Sequence, residues 1–130
     1  YIVTLPVTMD DAYQQMLKYL DRNLKLPTAF FADNDNLALG AMQALKERGF
    51  SIPGDISIIG FDDLPFCEIA VLRLTSLRVP KQDMGRLAVR EIVDMIQGKN
   101  TTKTKIQICT EFMERDSVRD LNDTKDAREI

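Results

Sequence analysis

Hydrophobic and polar positions follow two periods along this chain, and the period changes at Pro, Gly and clusters of Asp and Asn. Tyr1-Ile2-Val3-Thr4-Leu5-Pro6 reads as a strand. Behind it, Met9, Tyr13, Met16, Leu17, Leu20 and Leu24 fall at helical spacing. Thr8 is placed to cap that helix, and Asp10 and Asp11 suit its positive end. Pro27 ends the element. Residues 28–32 are a short apolar run, the mark of a buried strand. Residues 36–48 return to the helical period through Leu37, Ala38, Ala41 and Leu45, with Asp35 at the N-cap position and Gly49 as the stop.

The second half repeats the alternation. Pro53-Gly54-Asp55 predicts a turn, and 56–61 a second buried strand that ends on Asp62-Asp63. Residues 64–73 read as irregular. Residues 74–79 predict a strand or crossing segment closed by Pro80. A third helix is expected over 83–97, its stripe formed by Met84, Leu87, Ala88, Ile92, Met95 and Ile96 and its end by Gly98. After a polar loop, 106–112 alternate like a final strand. From Ser117 onward the chain is polar and charged, so 117–130 is expected to be a frayed tail behind a domain of residues 1–116. Strands alternating with helices over short connections predict an α/β fold, an open parallel sheet with helices on both faces.

Composition narrows the function classes. The chain has 130 residues, 45% hydrophobic and 28% charged, which excludes a collagenous or wholly disordered polymer. It contains no His, which removes Ser-His-Asp catalysis and His-ligated metal sites together. The net charge is −3 and Lys and Arg form no cluster, so direct DNA binding by this stretch is not expected. Cys67 and Cys109 fit no metal spacing and read as reduced thiols of a cytoplasmic protein. No apolar run approaches the ~20 residues of a membrane helix. The first residues carry no charged leader or small-residue cleavage site, and the chain opens without Met inside a strand; it is expected to be part of a longer protein. No metal, cofactor or membrane contact is expected.

In an open parallel sheet, ligands bind beyond the carboxyl ends of the strands. Two acidic clusters fall there, Asp33-Asn34-Asp35 after the strand 28–32 and Asp62-Asp63 after the strand 56–61. Asp35 reads as the helix cap, Asn34 as free to project at a ligand, Asp62 as sitting at the strand mouth, and Asp63 as structural. Such a set is poor at nucleophilic catalysis. It is well suited to hydroxyl groups, because a carboxylate accepts several hydrogen bonds and an amide both donates and accepts. A polyol is the expected ligand class, and no enzymatic activity is expected.

Ordered motifs add a family. Thr28-Ala29-Phe30-Phe31-Ala32-Asp33-Asn34-Asp35-Asn36-Leu37-Ala38-Leu39-Gly40 resembles the "TA…A.ND..A.G" segment of the LacI/GalR family of bacterial transcription repressors. Residues Pro53 to Asp63 are similar to that family's "P.D.S..GFDD" signature. Leu74-Thr75-Ser76-Leu77 with Gly85 and Ala88 resembles its "LTT…G..A" crossover, and Glu114-Arg115-Asp116-Ser117 its closing "R.S". The resemblance implies the C-terminal part of a two-lobed effector-binding domain of the type I periplasmic-binding-protein fold. It implies a repressor that senses a sugar or sugar phosphate between its lobes, with the DNA-binding headpiece upstream of this chain. By resemblance, Asn34 and Asp62 match effector-touching positions, with Asp33, Asp35 and Asp63 supporting or capping them. The family's C-terminal lobe carries much of the dimer contact, which places Leu39, Met42, Gln43, Phe66 and Ile69 in the interface of an expected homodimer. The same resemblance sends helix 83–97 to the other lobe, leaving its stripe in need of a partner. A periplasmic sugar-binding protein of a transporter shares the fold and stays open as an alternative. A receiver-type phosphoacceptor domain is more remote, because its acidic pair belongs on the first strand and here the pair is late.

Overall fold

The computed structural model describes residues 2–100 and 102–122. Residues 2–6 make no strand, although Val3 and Leu5 pack against the core; Tyr1 lies outside the described residues. Helix α1 spans Met9–Leu20. Thr8 caps it reciprocally, its Oγ1 accepting from the Asp11 N–H at 3.3 Å and donating to Asp11 Oδ2 at 2.7 Å. The helix stops a turn short of Leu24. Asp21 is drawn off to the guanidinium of Arg48, at 2.9 and 3.2 Å, and Asn23 adopts a φ of 51°. Strand β1 spans Ala29–Phe31, helix α2 Asp35–Glu47 and strand β2 Ser57–Asp62. A single helical turn, α3 (Phe66–Ile69), interrupts the stretch expected to be irregular. Strand β3 (Thr75–Arg78), helix α4 (Lys81–Ile96) and strand β4 (Glu111–Met113) complete the described elements.

The four strands form one sheet in the order β1-β2-β3-β4. β1, β2 and β3 are parallel, as the alternation of strands and helices requires, and β4 returns antiparallel to β3. β4 is shorter than the expected 106–112 for a physical reason. β3 offers only four residues, and its pairing of Ser76, Leu77 and Arg78 with Met113, Phe112 and Glu111 uses the last of them. Residues preceding Glu111 therefore have no ladder to join.

The core lies between α1, α2 and one face of the sheet. Met16 and Leu20 of α1 meet Ala38, Ala41, Met42 and Leu45 of α2, with Ile58 and Leu74 from the sheet side. Ala38, Ala41, Met42 and Leu45 follow helical spacing, so Met42 faces inward and is only 8% exposed. That corrects its expected place on a dimer surface. Gly40 lets α1 and α2 touch: a β-carbon there would lie 2.5 Å from the Met9 carbonyl oxygen. Each fully buried side chain such as Leu45 or Ile58 contributes about 1.5–3 kcal/mol. Helix α4 differs from the other long helices in having no buried residue.

The segment after β4 closes the sheet from below. Ser117, where the polar tail was expected to begin, is wholly buried between β2 and β3. Its carbonyl accepts from the Ile58 N–H at 2.8 Å, and its Oγ donates to the Ile58 carbonyl at 2.6 Å. The same Oγ accepts the Thr75 N–H at 2.8 Å. One serine thus stands in for a strand residue where β3 has not yet begun. Residues 123–130 of the expected tail lie outside the described residues.

Two substitutions test this packing by urea denaturation. Ser117→Ala strands the Thr75 N–H and the Ile58 carbonyl and lowers stability by about 1–3 kcal/mol; an unchanged midpoint removes the serine from the sheet. Gly60→Ala drives a β-carbon into Asp35 Oδ1 and costs about 1–3 kcal/mol by overpacking, whereas an unchanged or raised midpoint shows that the carboxylate moves aside freely.

Candidate functional site

The carboxyl ends of β1, β2 and β3 share one edge of the sheet, joined there by the first residue of antiparallel β4. Four polar groups gather on it from separate elements: Asp33-Asn34 after β1, Asp62-Asp63 at the end of β2, Arg78 at the end of β3 and Lys81 at the start of α4. Asn34 and Asp62 each follow the last paired residues of their strands, Phe31 and Ile59, by three positions, so both lie beyond the carboxyl end of the β1–β2 ladder.

The capping assignment is exchanged between neighbours. Asn34, expected to project freely, is the N-cap of α2, and its Oδ1 accepts the Leu37 N–H at 3.0 Å. A cap uses only the oxygen of the amide, so Asn34 keeps its two Nδ2 donors. Asp35, expected as the cap, lies inside the first turn and is wholly buried. Its Oδ1 accepts from Ser76 Oγ at 2.6 Å and its Oδ2 from the Leu64 N–H at 2.7 Å. Asp33 is exposed on the rim.

Asp62 ends β2 with a φ of 105°, and Asp63 follows with a φ of 52°. Both values lie in the region that disfavours residues with a β-carbon. Asp62 is partly exposed, its Oδ1 3.4 Å from Lys81 Nζ, which also donates to the Asp62 carbonyl at 3.2 Å. The Asp63 carboxylate is nearly buried between two guanidiniums. Arg78 Nε donates to its Oδ2 at 2.7 Å, and an Arg115 nitrogen lies 2.7 Å from its Oδ1 as a charge contact off the hydrogen-bonding direction. Burial pushes the Asp63 carboxyl up, but Arg115 and Arg78 outweigh it and hold the group below the ordinary carboxylate value. Arg115 is fixed in turn, donating from Nη1 to the Leu74 carbonyl at 2.7 Å and from its backbone N–H to Thr75 Oγ1 at 2.9 Å.

The edge therefore offers a donor amide from Asn34 and an acceptor carboxylate from Asp62, backed by a layer of fixed charges. A hydroxyl both donates and accepts, so this pairing fits one. Among the described residues no His, Cys, Asp or Glu cluster suited to a metal occurs. Burial, then its hydrogen bond to Asp35, pushes the Cys67 thiol up to about 12, so it is no nucleophile at neutral pH. Lys81, Arg78 and Arg115 carry no role in the sequence reading. Arg115 lies within the quoted closing motif, but its partner is 52 positions upstream and only the fold brings them together.

Of the expected interface residues, Leu39, Gln43, Phe66 and Ile69 line one shallow apolar hollow with Met9 and Ala70. Phe66 is 59% and Ile69 77% exposed.

The periplasmic binding protein-like domain family matches residues 2–118. The chain is 39% identical over 124 residues to the probable HTH-type transcriptional repressor ExuR of Bacillus subtilis (strain 168), covering 93% of this chain and 36% of that protein. Among solved structures, a LacI family transcriptional regulator from Enterococcus faecium with bound ribose superposes with a TM-score of 0.74 at 32% identity, over 88% of this chain and 41% of that one. The lac repressor dimer bound to operator and the anti-inducer ONPF superposes with a TM-score of 0.78 at 26% identity, over 85% of this chain and 38% of that one. The chain thus spans between about a third and two fifths of the length of these relatives. With the expected motifs in place and the family match running from end to end of the fold, the chain belongs to the periplasmic binding protein-like domains, as part of the effector-binding domain of a LacI/GalR-type regulator.

Proposed function

We propose that this chain supplies the C-terminal half of the ligand cleft in a cytoplasmic transcriptional repressor, and that the ligand is a sugar or sugar phosphate. The observation that carries the reading is the pairing of Asn34 and Asp62 at the strand mouths, one keeping free donors and the other a partly exposed carboxylate. The ribose-bound regulator with 32% identity supports the ligand class. The role is binding without catalysis: ligand closes two lobes, and closure changes the affinity of the whole protein for its operator. Operator contact belongs to a headpiece outside this chain, whose net charge of −3 does not favour nucleic acid.

The second lobe expected from the family would account for α4. The helix exposes Met84, Val89, Ile92, Val93, Met95 and Ile96, an apolar face too large for an ordinary solvent-facing helix. We assign that helix to the second lobe, whose own residues cover the stripe. The hollow lined by Leu39, Gln43, Phe66 and Ile69 is assigned to a two-fold homodimer, since one patch meeting its own copy closes without leaving a free face. A dimeric lac repressor among the solved relatives supports that state.

Two measurements test the reading. Asp62→Ala in the full-length protein weakens binding of the sugar found by calorimetric screening of pentoses, hexoses and disaccharides by about 1–3 kcal/mol, because ligand hydroxyls lose their acceptor; operator affinity without ligand stays the same. Unchanged sugar affinity removes Asp62 from the site. In sedimentation at tens of micromolar, the wild type is a dimer and Phe66→Asp a monomer, since the substitution buries two facing charges without partners. A dimer that survives Phe66→Asp moves the contact elsewhere.

A further inference from the structure

The pair of left-handed residues at the end of β2 is held by Arg78 on the same edge and by Arg115 and Ser76 behind it. Backbone of this kind persists only where its surroundings over-determine it. The Asp62 side chain is loosely held: it is partly exposed and its ion-pair partner Lys81 is 52% exposed, while its backbone closes the β2–β3 ladder opposite Arg78. Asp63 is fixed on every side. Its N–H donates to Ser76 Oγ at 3.2 Å, its carboxylate lies between Arg78 and Arg115, and the next residue donates its N–H to buried Asp35. The Asp63 and Arg115 side chains are only 5% and 9% exposed. Arg115 cannot swing away, because it also bonds the Leu74 carbonyl and Thr75 Oγ1.

We propose that Asp63, clamped by Arg78 and Arg115, is a positioning residue that holds the end of β2 in its left-handed conformation and so sets where the Asp62 carboxylate lies. The proposal rests on the reading of Asp62 as the ligand's acceptor. It goes beyond that reading by assigning the placement of Asp62 to an ion-paired neighbour and to a residue from the far end of the chain. If the clamp were absent, Asp62 would relax toward ordinary extended backbone, and its carboxylate would change direction at the strand mouth. Because β2 and β3 are joined by their own ladder and by Ser117, loss of the clamp disturbs the strand end and leaves the core standing.

The test reads the backbone directly, so it needs no ligand. In isotope-labelled protein of this 130-residue sequence, a positive φ brings a residue's amide proton close to its own α-proton and gives a strong intraresidue Overhauser effect. Wild type shows that strong signal at Asp62. In Asp63→Asn it falls severalfold, while the amide signals of α1 and α2 keep their positions. Where Asp63→Asn does not fold, Arg78→Gln carries the test, since the Arg78 side chain is 44% exposed and its loss leaves the core untouched; Arg78→Lys, which keeps the cation, restores the wild-type signal. An undiminished Asp62 signal in a folded Asp63→Asn or Arg78→Gln protein overturns the clamp. The calorimetry of Asp62→Ala separates this outcome from failure of the ligand reading. Lost sugar affinity with an undiminished signal overturns the clamp alone, and unchanged affinity overturns the functional reading on which the proposal rests.

Discussion

One buried carboxylate organises the carboxyl edge of the sheet. Asp35 sits in the first turn of α2 with no exposure, and both of its oxygens are satisfied, by Ser76 from β3 and by the Leu64 N–H from the loop after β2. A buried charge without such partners would cost several kcal/mol; with them, it ties a helix start, a loop and a strand to a single point. The arrangement constrains its neighbours. Residue 60 has no β-carbon because the carboxylate occupies that space, and residue 76 combines small size with a donor hydroxyl. Cys67, beside the same carboxylate, is kept protonated by burial and by that hydrogen bond.

The polar groups at the carboxyl edge of the sheet are placed relative to that point. Asn34 precedes Asp35 by one residue, so its capping amide is fixed as soon as α2 is seated. Leu64 is anchored by Asp35, and Ser76, held by the same carboxylate, accepts the Asp63 N–H. The loop carrying Asp62 and Asp63 is thereby pinned at both ends. Rigid placement of this kind suits recognition of a small polar ligand, in which hydrogen bonds to hydroxyls gain little if the groups must first be ordered.

Most of the fold was legible because the signals were local. The Thr8 cap, the stop at Gly49 and the apolar runs at 28–32 and 56–61 each depend on residues a few positions apart, and each appears in the structure within a residue or two. What escaped depends on distant residues. Asp35 and Asn34 are both good caps by type; only Ser76, 41 positions away, draws one of them inside and leaves the cap to the other. Ser117 reads as the start of a polar tail, and its partners Ile58 and Thr75 lie 59 and 42 positions upstream. The 106–112 alternation was genuine, but β3 was too short to pair with it. Met42 was apolar on a helix expected to reach the surface, and the phase of the α2 stripe turned it inward. Among site residues, the placement of Asp33, Asn34 and Asp62 at one edge followed from the fold class, while Lys81, Arg78 and Arg115 had no local signature.

The position of Arg115 along the polymer bears on when the edge can exist. Synthesis runs from the N-terminus, and domains fold as their segments emerge. A nascent chain that ends before Glu114 already holds α1, α2 and the three parallel strands with the Asp35 anchor, yet Asp63 then has one cation in place of two, and the gap beside Ile58 has no serine in it. The short segment from Glu114 to Ser117 therefore acts as a keystone, added after the arch is standing. A protein lacking Glu114 to Ser117 would keep α1, α2 and the parallel strands and lose the second cation beside Asp63 and the serine beside Ile58, so a change late in the sequence is felt at the carboxyl edge of the sheet.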